Sequence, residues 1–217
     1  MVKISPALTE WASLYLISTF PSCRYDIELY PALKNHLLSF GKNKLEQTGK
    51  EYIINGEKIK ARKKTSNKWF ETQDSISYWE DFSKPVIAWQ RITAKNQFCL
   101  TEAGTIILDS MAFLSHLGAY GNYLLAILNS DLIHFWIKKS VHEYGSTGFR
   151  LSNQYVELIP VPVPNESELS IANTLIELYL QGKKSSDEIN KFVYTLYGIT
   201  SEETITINKI IDASESQ

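Results

Sequence analysis

Residues 122–164 constrain the fold more than any other stretch of this sequence. Asn122 is suited to cap a helix, because its side-chain oxygen can accept a hydrogen bond from an unpaired N–H of the first turn. Apolar residues then recur at spacings of three and four, which predicts one buried helical face. These residues are Leu124, Leu125, Leu128, Leu132, Phe135 and Trp136. The Asn129-Ser130 pair interrupts the run and predicts either a kink or a second helix capped by Ser130.

A turn and a proline-rich exit follow the helical run. Gly145 and Gly148 bracket a sharp turn before Phe149-Arg150-Leu151, and a polar Ser-Asn-Gln run comes next. Residues 159–164 alternate apolar residues with three prolines, which have no backbone N–H for a regular sheet ladder. The sequence therefore predicts a packing helix, a turn that presents one arginine, and a polar-to-apolar strand that is either an edge strand or an extended exit strand.

Local signals predict further elements on both sides of this segment. Residues 11–20 alternate in strand fashion and predict a first strand. Pro31 predicts the first turn of a helix, and Asn55-Gly56 predicts a hairpin. The remaining predictions are strands at 85–92, 98–102 and 105–114, and helices at 169–179, from Ser185 and from Thr200. The predicted fold is α+β, with a small, mostly antiparallel sheet, packing helices and a helical C-terminal tail.

The composition predicts a globular protein of a reducing compartment. The 217 residues suit one domain or one domain with an appendage, and 44% apolar against 21% charged residues suffices for a buried core. Two cysteines, Cys23 and Cys99, make neither a disulfide framework nor a metal site. No signal segment opens the chain, and no apolar run is long enough to cross a bilayer. We therefore expect a soluble, cytoplasmic protein.

The charge is unevenly distributed. The net charge is −2, yet between Lys42 and Lys68 nine basic residues face three acidic ones, a local charge of +6. From Asn165 to Gln217 nine acidic residues face four lysines, a local charge of −5. Because phosphate responds to the local field, the small net charge does not exclude a nucleic-acid partner.

Four motifs in order carry a resemblance to a known family. They are Y-L-L-A-I-L-N-S at 123–130, a Gly/Phe/Arg turn at 148–150, N-Q-Y at 153–155 and an I-P-V-P-x-P exit at 159–164. Y-P-A-L-K-x-H-L at 30–37 and F-x-K-P-x-I-x-W at 82–89 match the same family. Together they resemble the TaqI-like C-terminal specificity domain of type IIG restriction enzymes and adenine-N6 DNA methyltransferases. A more distant resemblance is to half of a type I restriction specificity subunit. The resemblance spans residues 11–211.

The resemblance implies a DNA target-recognition domain over residues 1–164 and a helical appendage over 165–217, which packs on that domain or on a partner. It implies phosphate contacts by Lys58, Lys60, Arg62, Lys63, Lys64 and Lys68. It implies base reading by Gln90, Arg91, Arg150, Asn153 and Gln154. The alternatives are a solvated basic loop, an ordinary exposed strand end at Gln90 and Arg91, and an Arg150 that braces its turn.

Motifs for catalysis are absent from the sequence. There is no Asn/Asp-Pro-Pro-Tyr/Phe loop, no glycine-rich cofactor loop, no acid-x-Lys nuclease motif and no zinc-ligand spacing. The implied parent is an adenine-specific methyltransferase, a type II endonuclease or both, with its methylating domain N-terminal to this segment. S-adenosylmethionine and Mg²⁺ would belong to those catalytic domains, so no cofactor is expected here. The chain is accordingly expected to be a separated piece.

Two functions remain open at this point. In the first, the partners are double-stranded DNA and an adenine methyltransferase domain or subunit, with no membrane involved. In the second, the chain is a protein-interaction module, whose C-terminal helices dock a methyltransferase or restriction subunit without reading DNA.

Overall fold

The computed structural model describes residues 4–5, 8–9, 13–145 and 148–215. Backbone contacts divide the chain into two compact units. The smaller unit is Tyr15–Glu80, and the larger unit combines Met1–Leu14 with Asp81–Gln217. The predicted division after residue 164 stays a prediction, and the helices beyond that residue share a hydrophobic core with earlier ones.

The described residues form an α+β fold, as predicted, with short antiparallel strands and longer C-terminal helices. The strands are β1 (Ile4–Ser5), β2 (Leu8–Thr9), β3 (Glu51–Ile54), β4 (Glu57–Lys60), β5 (Ile87–Gln90), β6 (Ile92–Thr93), β7 (Phe98–Leu100), β8 (Met111–Leu114), β9 (Glu143–Tyr144) and β10 (Gly148–Arg150). The helices are α1 (Pro31–Leu38), α2 (Lys42–Leu45), α3 (Gly121–Leu128), α4 (Asp131–Ser140), α5 (Asn153–Val156), α6 (Glu166–Leu180), α7 (Ser186–Tyr197) and α8 (Ser201–Glu215).

The smaller unit is built around the β3–β4 hairpin. Its turn residues Asn55 and Gly56 have φ values of 51° and 83°, as a two-residue hairpin turn requires. The hairpin prediction is therefore confirmed, and so is the start of α1 at Pro31.

The predicted strand at 11–20 is wrong over its described part. Residues 13–20 belong to no strand, and Leu14 and Tyr15 are 70% and 86% exposed. Residues 11 and 12 lie outside the described residues. Alternation of apolar side chains favours a strand only where a partner strand supplies the ladder, and pairing of that kind is non-local.

Two three-stranded antiparallel sheets form the scaffold of the larger unit. Their strand orders are β7-β5-β8 and β6-β10-β9. Ile87 and Trp89 of β5 are buried in one core with Leu125 and Ile127 of α3. The Trp89 Nε1–H donates to the Leu151 carbonyl at 2.9 Å, which fixes the segment after β10 against β5.

Ser130 begins a second helix, so the interruption at Asn129-Ser130 is a restart. Its side-chain oxygen accepts from the Ile133 N–H at 3.3 Å at the start of α4. The C-terminal helices confirm the predicted ones, and Ala172 of α6 and Val193 of α7 are fully buried in the core of the larger unit.

The polar run after Leu151 is not a strand. Residues 153–156 form the short helix α5, and residues 159–164 belong to no strand. Carbonyls of the proline segment are bonded by side chains instead. The Tyr123 hydroxyl donates to the Pro162 carbonyl at 2.9 Å, and the Tyr197 hydroxyl donates to the Pro160 carbonyl at 2.6 Å. A proline lacks a backbone N–H, but its carbonyl oxygen can still accept a hydrogen bond. Side-chain donors therefore hold this segment in place without a β-sheet ladder.

Candidate nucleic-acid interface

Arg91 stands where the chain passes from one sheet of the larger unit to the other. Its N–H donates to the Ser110 carbonyl at 3.2 Å, next to β8, and its carbonyl accepts from the Leu151 N–H at 2.8 Å, next to β10. Arg150 pairs with Ile92 across the β10–β6 ladder. Backbone hydrogen bonds therefore bring three distant sequence segments to one place.

A surface cleft of about 490 Å³ opens at this junction. It is lined by Gln90, Arg91, Ile92, Asp109, Ser110, Tyr144 and Arg150. The lining combines amide, guanidinium, carboxylate, hydroxyl and aromatic groups. Such a mixture can donate to and accept from a polar planar ligand, as base edges in a DNA groove require.

The charged groups of the cleft are not neutralised by one another. Among the described residues, Arg91, Asp109 and Arg150 have no ion pair within 4.0 Å. The Arg91 Nε–H donates to the Met111 carbonyl at 3.0 Å, which leaves its terminal nitrogens for another partner. All three side chains are exposed. The cleft thus presents two cations and one anion to a ligand.

Three of the five predicted base readers lie in this cleft: Gln90, Arg91 and Arg150. Asn153 and Gln154 are exposed on α5, a few residues beyond Arg150, and do not line it. Their proposed base contacts stay predictions.

Sequence reasoning missed four lining residues: Ile92, Asp109, Ser110 and Tyr144. A signal existed for two of them, since adjacent polar residues Asp109 and Ser110 interrupt an apolar run just before β8. Tyr144 gave no such signal. It is 52% exposed, and it enters the cleft only because β9 pairs with β10.

In the smaller unit, the basic loop (residues 61–68) is an ordered structure. The buried Gln47 amide donates to the Lys68 carbonyl at 3.0 Å and to the Glu71 carbonyl at 2.8 Å. The Lys68 N–H donates to the buried Glu71 carboxylate at 2.7 Å. Two buried polar side chains therefore satisfy the loop's backbone and fix its path.

The predicted phosphate-binding lysines have different surroundings. Lys60, Lys63 and Lys64 are exposed and have no ion pair among the described residues. Lys58 pairs with Glu51 at 2.6 Å on the surface. The Lys68 ammonium lies 5.5 Å from the Phe70 ring centroid. The three unpaired lysines are the ones that the structure leaves most available to an anion.

Arg62 has a structural role that the sequence did not reveal. Its Nε–H donates to the Leu45 carbonyl at 2.8 Å, and an Nη–H donates to the Trp69 carbonyl. Burial lowers the pKa of this guanidinium, and the nearby Glu46 opposes that effect. The phosphate contact predicted for Arg62 stays untested, but its guanidinium already braces α2 against the basic loop.

One serine, one histidine and one aspartate of the larger unit meet without forming a catalytic triad. The Ser115 hydroxyl donates to Asp81 Oδ2 at 3.0 Å, and it lies 2.9 Å from His116 Nδ1. In a triad the nucleophile's proton is directed to the histidine. Here it is directed to the carboxylate, so the group ties Asp81 to the end of β8.

No group of three or more His, Cys, Asp or Glu side chains suited to a metal ion occurs among the described residues. Over the same residues, no helix is both long and apolar enough to cross a membrane.

The described residues form an α+β fold with a polar cleft in the larger unit and an ordered basic loop in the smaller one. The sequence model of the TaqI-like C-terminal specificity domain matches residues 24–161. Since this match covers more than half of the chain, the protein belongs to the TaqI-like C-terminal specificity domain family, as its motifs predicted. Membership implies target recognition in a restriction–modification system. A comparison with curated proteins gives no match.

Proposed function

We propose that this chain reads a specific sequence of double-stranded DNA for an adenine-N6 methyltransferase, or for an endonuclease that carries one. The single observation that supports it most is the cleft in which Gln90, Arg91 and Arg150 converge. Their donors match the acceptors that guanine and adenine present in the major groove. Base reading is assigned to this cleft, and phosphate contact to the lysines of the smaller unit.

The catalytic step belongs to another domain or subunit in this proposal. Target recognition would hold the duplex in register, while the partner supplies S-adenosylmethionine or Mg²⁺ and extrudes the target base. The proposal places the protein in the cytoplasm, where the DNA to be modified or cut is found.

The test is selection from a labelled duplex pool of randomised sequence, with affinity measured over a range of salt concentrations. Enrichment of one short motif is expected. The logarithm of affinity should fall linearly with the logarithm of salt, with a slope of about −0.9 per phosphate contact.

Charge reversal separates phosphate contact from folding. Lys63→Glu with Lys64→Glu should abolish binding at moderate salt while leaving the circular dichroism spectrum unchanged, because both side chains are exposed. Lys191→Glu with Lys209→Glu is the matched control, since it makes the same charge change on the C-terminal helices. Unchanged binding in the first variant would remove the basic loop from the proposal.

The interaction-module alternative predicts a different result. In that case the wild-type chain would bind no duplex even at low salt, and it would co-purify with a methyltransferase or restriction subunit. In the larger unit, Ala172, Ile176 and Val193 already bury their side chains in the core. This leaves less of α6 and α7 for a partner, so DNA reading is the better supported function.

A further inference from the structure

The cleft of the larger unit supports a more specific assignment, which rests on the proposed function and adds the identity of a base pair. We propose that Arg91 and Asp109 together read one G·C pair, with Arg91 on guanine and Asp109 on the paired cytosine.

Arg91 is held in a way that suits guanine. Its backbone is bonded on both sides of the sheet junction, and its Nε–H is used by the Met111 carbonyl at 3.0 Å. The two terminal nitrogens have no hydrogen bond among the described residues, and Arg91 lines the cleft. In the major groove, only guanine offers two adjacent acceptors, O6 and N7. On adenine, one of the two N–H groups would face the N6 amino donor.

Asp109 supplies the complementary acceptor. Its carboxylate is exposed and has no ion pair within 4.0 Å among the described residues, although two arginines line the same cleft. An ionised carboxylate only accepts hydrogen bonds, so it suits the N4 amino group of cytosine and is repelled by thymine O4. It also repels phosphate. A carboxylate in this position therefore favours base reading over backbone contact.

The other polar residues of the cleft fit less well at this pair. The Arg150 guanidinium has no hydrogen bond among the described residues, so it is adaptable and can reach a phosphate or a neighbouring base. The Gln90 amide matches adenine N6 and N7, so it does not suit the guanine of this pair.

The experiment uses the full chain and the motif that wild-type selection returns. Each G·C pair of that motif is replaced in turn by A·T, and affinities are compared at one salt concentration for the wild type, Asp109→Asn and Arg91→Ala. At one pair, the wild type should lose roughly ten-fold to a hundred-fold in affinity. Both variants should lose most of that discrimination at the same pair and keep it elsewhere.

Asp109→Asn has a second readout that a structural role would not give. Removing a negative charge near the phosphates should raise affinity for random duplex while specificity falls. Glu102→Gln is the matched control, because it neutralises an exposed acid of the same unit that does not line the cleft. It should leave discrimination unchanged at every pair.

The outcomes distinguish the two proposals. If folded Asp109→Asn and Arg91→Ala discriminate like the wild type at every G·C pair, the assignment is overturned and DNA reading stands. If the wild-type chain enriches no motif at all, the proposed function is overturned, and the assignment falls with it.

Discussion

Three of the four arginines of this protein differ in what their guanidinium groups contact. Arg62 bonds the Leu45 and Trp69 carbonyls, Arg91 bonds the Met111 carbonyl through Nε alone, and Arg150 has no side-chain hydrogen bond among the described residues. Each internal bond removes donors that a ligand would need. In the proposed function, these three residues therefore form a series, from a structural brace through an anchored base reader to an adaptable DNA contact.

Replacing Arg62 by lysine should destabilise the smaller unit. A lysine ammonium cannot reproduce the planar fork that bonds two carbonyls at once. Hydrogen bonds to a charged donor contribute about 1.5 to 3 kcal/mol each, so Arg62→Lys should lower the free energy of unfolding by roughly 2 to 3 kcal/mol. Chemical denaturation measures this loss. Lys63→Ala is the control and should stay within about 0.5 kcal/mol of wild type. Equal stability of both variants would show that Arg62 is no brace.

Trp89→Phe should loosen the scaffold of the cleft. Trp89 is 2% exposed, and its Nε1–H bonds the Leu151 carbonyl. Phenylalanine leaves that carbonyl unsatisfied, at about 1 to 3 kcal/mol, and adds a small cavity. Urea unfolding should show a loss of roughly 2 to 4 kcal/mol. Trp79→Phe, at a 40% exposed tryptophan, should change stability far less. A comparable loss there would point to a general intolerance of tryptophan substitution.

The C-terminal helices share one device at their starts. In each, the capping residue and a glutamate three positions later exchange hydrogen bonds with each other's backbone N–H groups. The pairs are Asn165 with Glu168, Ser185 with Glu188, and Thr200 with Glu203. These bonds satisfy donors that a helix start otherwise leaves open.

The capping box of α7 should make stability depend on pH in the acid range. The Ser185 hydroxyl, the Lys184 ammonium and the Ser185 N–H lower the pKa of Glu188 to about 2, from an ordinary value of 4.5. A carboxyl whose folded pKa is depressed stabilises the fold above its unfolded pKa, and this contribution is lost as the pH falls. The contribution of Glu188 is therefore complete above about pH 4.5 and disappears towards pH 2. Glu188→Gln should flatten this part of the stability profile.

The control for this pH dependence is Glu177→Gln. Glu177 lies on α6, and its carboxylate has no hydrogen bond among the described residues. The variant should keep the wild-type slope between pH 4.5 and 2 in denaturation experiments. If Glu188→Gln and Glu177→Gln show the same dependence of stability on pH, the capping bonds of α7 do not cause the loss of stability between pH 4.5 and 2.

A side chain at Gly56 should destabilise the hairpin turn of the smaller unit. A Cβ there meets nothing within 4 Å, so any cost comes from the backbone alone, at φ +83°. Left-handed backbone costs an L-residue about 1 to 2 kcal/mol, and Gly56→Ala should lose that much in chemical denaturation. Gly121→Ala is the matched control, since φ is −52° and its nearest neighbour would be 3.7 Å away. Stability should not fall in that variant. If Gly56→Ala leaves the free energy of unfolding unchanged, the backbone of the turn must adjust to accommodate the alanine.

Most elements whose signals are local were predictable from the sequence. The Asn55-Gly56 turn and the Ser130 cap each depend on one or two residues. The predicted cap at Asn122 is wrong, since that residue lies inside α3. The strand predicted at 11–20 and the strand predicted after Leu151 failed, because strand formation depends on a distant partner. Only some of the residues that line the cleft were predictable, because the others depend on pairing between distant strands. Gln90, Arg91 and Arg150 are polar residues at element ends, whereas Tyr144 reaches the site only through the β9–β10 pairing.

At the scale of the whole molecule, the proposed functions are divided between the two compact units. The basic loop and its buried braces, Gln47 and Glu71, lie in the smaller unit, and the cleft lies in the larger one. Phosphate contact depends on salt and carries no sequence information, whereas base contact carries it. Affinity and specificity should therefore respond to different substitutions.

A double-mutant cycle between the units tests this division. Lys63→Gln with Lys64→Gln should reduce the magnitude of the salt slope by about 2 and leave base preference unchanged. Arg91→Lys should leave the slope unchanged and relax preference at one base pair. Among the described residues these side chains share no partner, so the two effects on binding free energy should add within about 0.5 kcal/mol in the combined variant.

Coupling in this cycle would have a specific meaning. If the combined variant lost much less affinity than the sum, the lysines and Arg91 would be contributing to the same DNA contact, and the assignment of separate functions to the units would be wrong. Lys191→Gln with Lys209→Gln, combined with Arg91→Lys, provides the reference cycle, because its lysines lie on α7 and α8, outside both the basic loop and the cleft. Separate phosphate and base contacts require that the changes in binding free energy add in both cycles. They also require that only the substitutions at Lys63 and Lys64 reduce the salt slope.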